Sequence, residues 1–95
     1  MSLDKILMDV REEAERAQRD HGRGYASDHE AFAVLLEEVE EVKAWVWRKR
    51  ADRDLDAMRR ECVQIAAVAA KWAAQLHQRE EDVEKELRVV RSGEP

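Results

Sequence analysis

The chain has 95 residues, 41% of them charged and 44% hydrophobic, with only three glycines and one proline. That length accommodates one domain with a modest core. A formal net charge of −5 argues against a basic footprint for DNA or RNA, and no apolar run approaches the roughly 18 residues of a membrane span. The N-terminus lacks a signal-peptide pattern, and the single cysteine, Cys62, can form neither an intrachain disulfide nor a cysteine-based metal site. A cytoplasmic protein is expected, with Cys62 in its core.

Charged and apolar residues alternate at helical spacing, so the expected fold class is all-α: an antiparallel bundle of three to four helices over residues 1–95. Residues 4–20 read as the first helix, with Ile6, Leu7, Val10, Ala14 and Ala17 on one face. The stretch HGRGYAS, residues 21–27, is a loop, since Gly22 and Gly24 can take backbone angles that end a helix. Ser27 and Glu30 have capping-box spacing and start a second helix, expected to reach about residue 49. Its main apolar stripe is Phe32, Leu35, Leu36, Val39, Val42 and Val46. The basic RKRADRD segment, residues 48–54, is the next connection, and Asp52, Asp54 or Asp56 can cap a third helix beginning near Leu55. From Cys62 to Ala74 that helix has only Gln64 and Lys71 as polar side chains, which calls for burial on most sides, by a second subunit as well as by its neighbours. Val83, Leu87 and Val90 continue the helical period, either in the same helix or in a short fourth one, and residues 91–95 should fray.

The second helix also carries an acidic stripe. At about 100° per residue, Val34, Glu38, Glu41 and Trp45 share a second face, with Glu37 at its outer edge and Glu40 elsewhere. Position 42, one turn beyond Glu38, is a valine, so the helix offers Glu38 no cation at that spacing. Carboxylates with apolar neighbours need a cation or raised pKa values, and a hard divalent ion takes oxygen ligands of this kind. On the third helix Glu61 and Gln64 form a matching pair, three residues apart. Pairing the two helices antiparallel would bring Glu38 and Glu41 opposite Glu61 and Gln64.

EEVEE at 37–41 and ECVQ at 61–64 resemble the EExxE and ExxD motifs of the MazG-like all-α nucleoside triphosphate pyrophosphohydrolases. Nineteen residues separate the two motifs, and the resemblance covers roughly residues 3–77. It implies cleavage of a nucleoside triphosphate between the α and β phosphates, giving monophosphate and pyrophosphate, with Mg2+ or Mn2+ as cofactor and a homodimer or homotetramer as the working form. Carried over, Glu38, Glu41 and Glu61 become metal ligands and Glu37 and Glu38 the groups that orient or activate water. Gln64 departs from the family's Asp: an amide oxygen can coordinate but brings no charge. Lys71, Trp45 and Arg48 are the candidates for holding substrate, and Trp45 and Trp47 can stack on a base. The plainer alternative is a catalytically weak or inactive helical oligomer that binds nucleotide, metal or a partner. On that reading the glutamates are a solvated face, Lys71 snorkels and the tryptophans fill an interface.

Overall fold

A computed structural model of the chain describes residues 2–22 and 24–93, apart from the side chain of His21. The described residues form three α-helices and one short 3-10 turn, with no strand among them: α1 spans Leu3–His21, α2 Asp28–Val46 and α3 Leu55–Ser92, with the turn at Arg50–Asp52. Each start and stop has a local cause. Gly22 ends α1 in the left-handed region, φ 72°, where its N–H reaches the Gln18 carbonyl. At the start of α2 the Ser27 hydroxyl accepts from the Glu30 N–H at 3.1 Å. Asp54 does the same for α3, accepting from the Ala57 N–H at 3.0 Å.

One boundary differs from the sequence reading, and one that it left open is resolved. Helix α2 stops at Val46 rather than near 49, because Arg53 folds back and donates to the Val46 carbonyl at 2.8 Å and the Arg48 carbonyl at 3.2 Å. Those bonds satisfy carbonyls that a longer helix would have used. The third helix does not divide: α3 is one element of 38 residues, about 57 Å at the usual rise. Of the stretch expected to fray, Arg91 and Ser92 are still helical, while 94–95 lie outside the described residues.

Helices α1 and α2 each pack on α3 and not on each other. Asp28 at the start of α2 accepts from Trp72 and Arg79, whereas Glu38 and Glu41 farther along α2 meet Glu61, so α2 and α3 run in opposite directions. Asp9 lies near Arg59 and Glu13 bonds Gln64, so α1 runs alongside α3 in the same direction. The gap between α1 and α2, floored by α3, is a cleft.

The core is thin. Only Ala31, Val63, Ala67 and Val68 are buried among the described residues. The radius of gyration is 17.9 Å, against about 12 Å for a compact chain of this length. The face of α2 turned to α3 is Ala31, half-buried Val34 and Leu35, Glu38, Val42 and Trp45. The rest of its main apolar stripe turns away: Phe32, Leu36 and Val46 remain 56%, 45% and 43% exposed. Cys62, expected in the core, is exposed on the far side of α3. Its helix is apolar nearly all round, yet only one side of it is covered by α1 and α2.

Candidate metal centre and adjoining cleft

Opposed directions bring two helical turns together. Glu38 and Glu41 lie one turn apart on α2, and Glu61 lies on the first part of α3. One oxygen from each of the three carboxylates falls within 4.8 Å of the others. None of the three forms an ion pair with a lysine, arginine or histidine among the described residues. Lys43, nearest along α2, pairs with Glu40 instead, at 3.7 Å.

The electrostatics of the trio follow from that crowding. Burial pushes the Glu38 carboxyl above the ordinary carboxylate range; a hydrogen bond with Glu61 works against this, and the charges of Glu41 and Glu37 reinforce it. Glu41 is fully exposed, yet it is raised too, first by its hydrogen bond with Glu61 and then by the Glu61 charge. Three carboxylates this close share either a proton or a cation. Glu61 adds to that crowding: its Oε2 is buried and has no hydrogen-bond partner among the described residues. A buried carboxylate oxygen left unpaired is costly, and a divalent ion is the ligand that three convergent oxygens fit.

Beside the trio lies the cleft, about 570 Å³, walled by Glu13, Arg16 and Ala17 of α1 and Val34 and Glu38 of α2, with Gln64, Val68 and Lys71 of α3 as its floor. The loop before α2 closes one end. Gln75 on α3 holds that loop by accepting from the Tyr25 N–H at 2.9 Å and donating to the Tyr25 carbonyl at 2.6 Å. Gly24 lets the two approach closely: a Cβ there would meet the Gln75 amide oxygen at 2.6 Å and push that side chain aside. The Lys71 ammonium sits 5.0 Å from the centre of the Tyr25 ring, a cation–π distance. The Tyr25 hydroxyl is buried without a partner, and burial, with the charges of Glu30 and Glu38, keeps its proton on.

The remaining candidates are placed as follows. Gln64 lines the cleft beside Glu38 but hydrogen-bonds to Glu13. Burial pushes the Glu13 carboxyl upward; hydrogen bonds from Arg16 and Gln64 outweigh this and hold it below its ordinary range. Glu37 stands outside the trio, exposed, on a shallow surface it shares with Leu36, Glu40 and Glu41. Lys71 is the substrate candidate that faces the cleft. Trp45 and Arg48 are not among the cleft residues; they stack on each other near the end of α2, the guanidinium 4.2 Å from the ring centre. Trp47 is largely exposed.

Sequence periodicity missed Glu13 and Tyr25; it sets Gln75 on the Glu61/Gln64 side of α3 but not against Tyr25. Gln75 lies 50 positions from the residue it holds, so no local spacing could have paired them. The one available signal was an aromatic residue directly after Gly24 in a loop otherwise made of small and polar residues. No family model, curated protein or solved structure matches the chain.

Proposed function

We propose that this chain is a magnesium-dependent nucleotide pyrophosphohydrolase, which hydrolyses a nucleoside triphosphate between its α and β phosphates. The observation that carries the reading is the convergence of Glu38, Glu41 and Glu61, which no cation pairs with among the described residues and which leaves one buried oxygen unpaired. The resemblance of EEVEE and ECVQ to the MazG-like motifs, carried by the same glutamates, supports the same reading.

Glu38, Glu41 and Glu61 would hold Mg2+, or Mn2+ in its place. A bound ion of this kind neutralises phosphate charge and lowers the pKa of water. Glu38, half-buried beside the cleft, would also help to orient or activate the water. Glu37, exposed and outside the trio, would serve as an extra ligand or orient water from the solvent side. The water gives up one proton to a carboxylate and its oxygen adds to phosphorus; the anhydride bond breaks, and the bridging oxygen leaves with pyrophosphate. Lys71, and Arg16 across the cleft, supply positive charge for outer phosphates.

The exposed stripe on α2 and the half-covered α3 favour a homo-oligomer as the working form. One observation favours a second reading, a nucleotide- or metal-binding module without turnover: Gln64 is occupied with Glu13 and brings no charge. Pyrophosphate release from a panel of nucleoside triphosphates, with and without Mg2+, separates the two. Mg2+-dependent release that disappears in Glu61→Gln is expected. No release from any nucleotide at saturating concentrations, with Mg2+ still bound, would leave the binding module.

A further inference from the structure

Helix α3 outruns the body it floors. Residues 76–92 are exposed throughout, about 25 Å of helix at the usual rise, and Arg79, bonded to Asp28, links them to α2. Most helical stability in proteins comes from packing of an amphipathic face. Its apolar residues are not scattered. At about 100° per residue, Leu76, Val83, Leu87 and Val90 fall within about 60° of arc. They alternate at spacings of seven, four and three, the seam of a coiled coil. All four are exposed, Val90 by 76%. Arg79 and Glu86 flank the seam on one side, and His77, Glu84 and Arg91 on the other.

We propose that this arm of α3 pairs antiparallel with the same arm of a second copy of the chain. The flanking charges select both direction and register. With Leu76 layered on Leu87 of the second copy, Arg79 faces Glu86 and Glu86 faces Arg79, while His77 and Glu84 face each other across the opposite flank. Ala73, exposed at the edge of the body, then receives Val90 of the second copy. A shift of one heptad toward the body sets Arg79 against Arg79; a shift away sets Glu86 against Glu86. Parallel pairing in register would place Glu80 against its own copy inside the seam, a like-charge contact that costs stability. In the antiparallel register Glu80 lies across from Val83 and reaches past it to water. Arg79 gives one nitrogen to Asp28, and its guanidinium has further donors for Glu86. This pairing does not depend on the metal centre.

Sedimentation of the full chain tests it with Arg79→Glu and Glu86→Arg, made separately and then mixed. Each variant alone turns two attractive contacts into two repulsive ones, so self-association should weaken by about tenfold. An equimolar mixture restores both attractive contacts, but only between one copy of each variant and only when antiparallel, so the mixture should recover the wild-type association. The mixture also guards against misfolding, since a variant that cannot fold cannot be rescued by its complement. A wild-type chain that stays monomeric overturns the proposal. So do single variants that associate as tightly as wild type, which would place any self-contact on the body instead, and so does a mixture no tighter than its parts.

Discussion

The Gln75 side chain bonds both backbone polar groups of Tyr25, at 2.9 Å and 2.6 Å, and so ties the loop before α2 to the middle of α3. This two-bond clasp closes one end of the cleft and sets the Gln75 amide oxygen 2.6 Å from where a Cβ on Gly24 would lie, so that a Cβ would displace the amide. Gly24→Ala should therefore break the clasp. The expected loss is about 1–3 kcal/mol, seen as a lower urea midpoint. Gln75→Leu should lose a similar amount, because it strands the same two backbone groups. The double variant should lose little more than either single one, since both remove one interaction.

Glu38 carries a pH signature. Its folded pKa is raised by burial and by neighbouring carboxylates. A carboxyl raised on folding binds its proton more tightly in the folded state, so its ionisation works against folding. That penalty is fully present above the folded pKa and vanishes as pH falls through it toward the unfolded value. Glu38→Gln should stabilise the metal-free protein at pH 7, and the gain should shrink toward pH 4. Melting both chains in chelator across that range measures the difference. It also cancels the opposite contributions of Glu13, Asp28 and Asp56, whose folded pKa values are lowered and whose stabilisation is lost in acid. A gain that grows on acidification contradicts the assignment.

Gln64 stands where the resembled motif has a carboxylate, and here it hydrogen-bonds to Glu13. Gln64→Asp removes that donor and sets a like charge nearby. The metal-free variant should melt below wild type at pH 7 and recover as the added carboxylate is protonated. Calorimetry at pH 7 and pH 4.5 checks this. Equal melting temperatures for variant and wild type at pH 7 would mean that the Glu13 contact contributes nothing.

Much of this layout can be read in the sequence, and the failures share a cause. The starts of α2 and α3 were legible because a cap is a local device: Ser27 and Asp54 act within three residues. The end of α2 was not, since Arg53 reaches seven positions back to the Val46 carbonyl. The trio was foreseen because one-turn spacing and opposed directions suffice to bring Glu38, Glu41 and Glu61 together. The cleft beside them depends on Gln75 and Tyr25, whose contact no periodicity encodes. Burial was misjudged for Cys62: an all-round apolar helix signals that something covers it, and within one chain only the side toward α1 and α2 is covered.

The central claim is that Glu38, Glu41 and Glu61 grip one divalent cation. Electron paramagnetic resonance counts it, with Mn2+ titrated into wild type and into Glu61→Gln. One bound Mn2+ per chain, displaced by excess Mg2+ and lost from Glu61→Gln, is the predicted result. Equal Mn2+ binding by the two proteins, or none by wild type at millimolar metal, would contradict it.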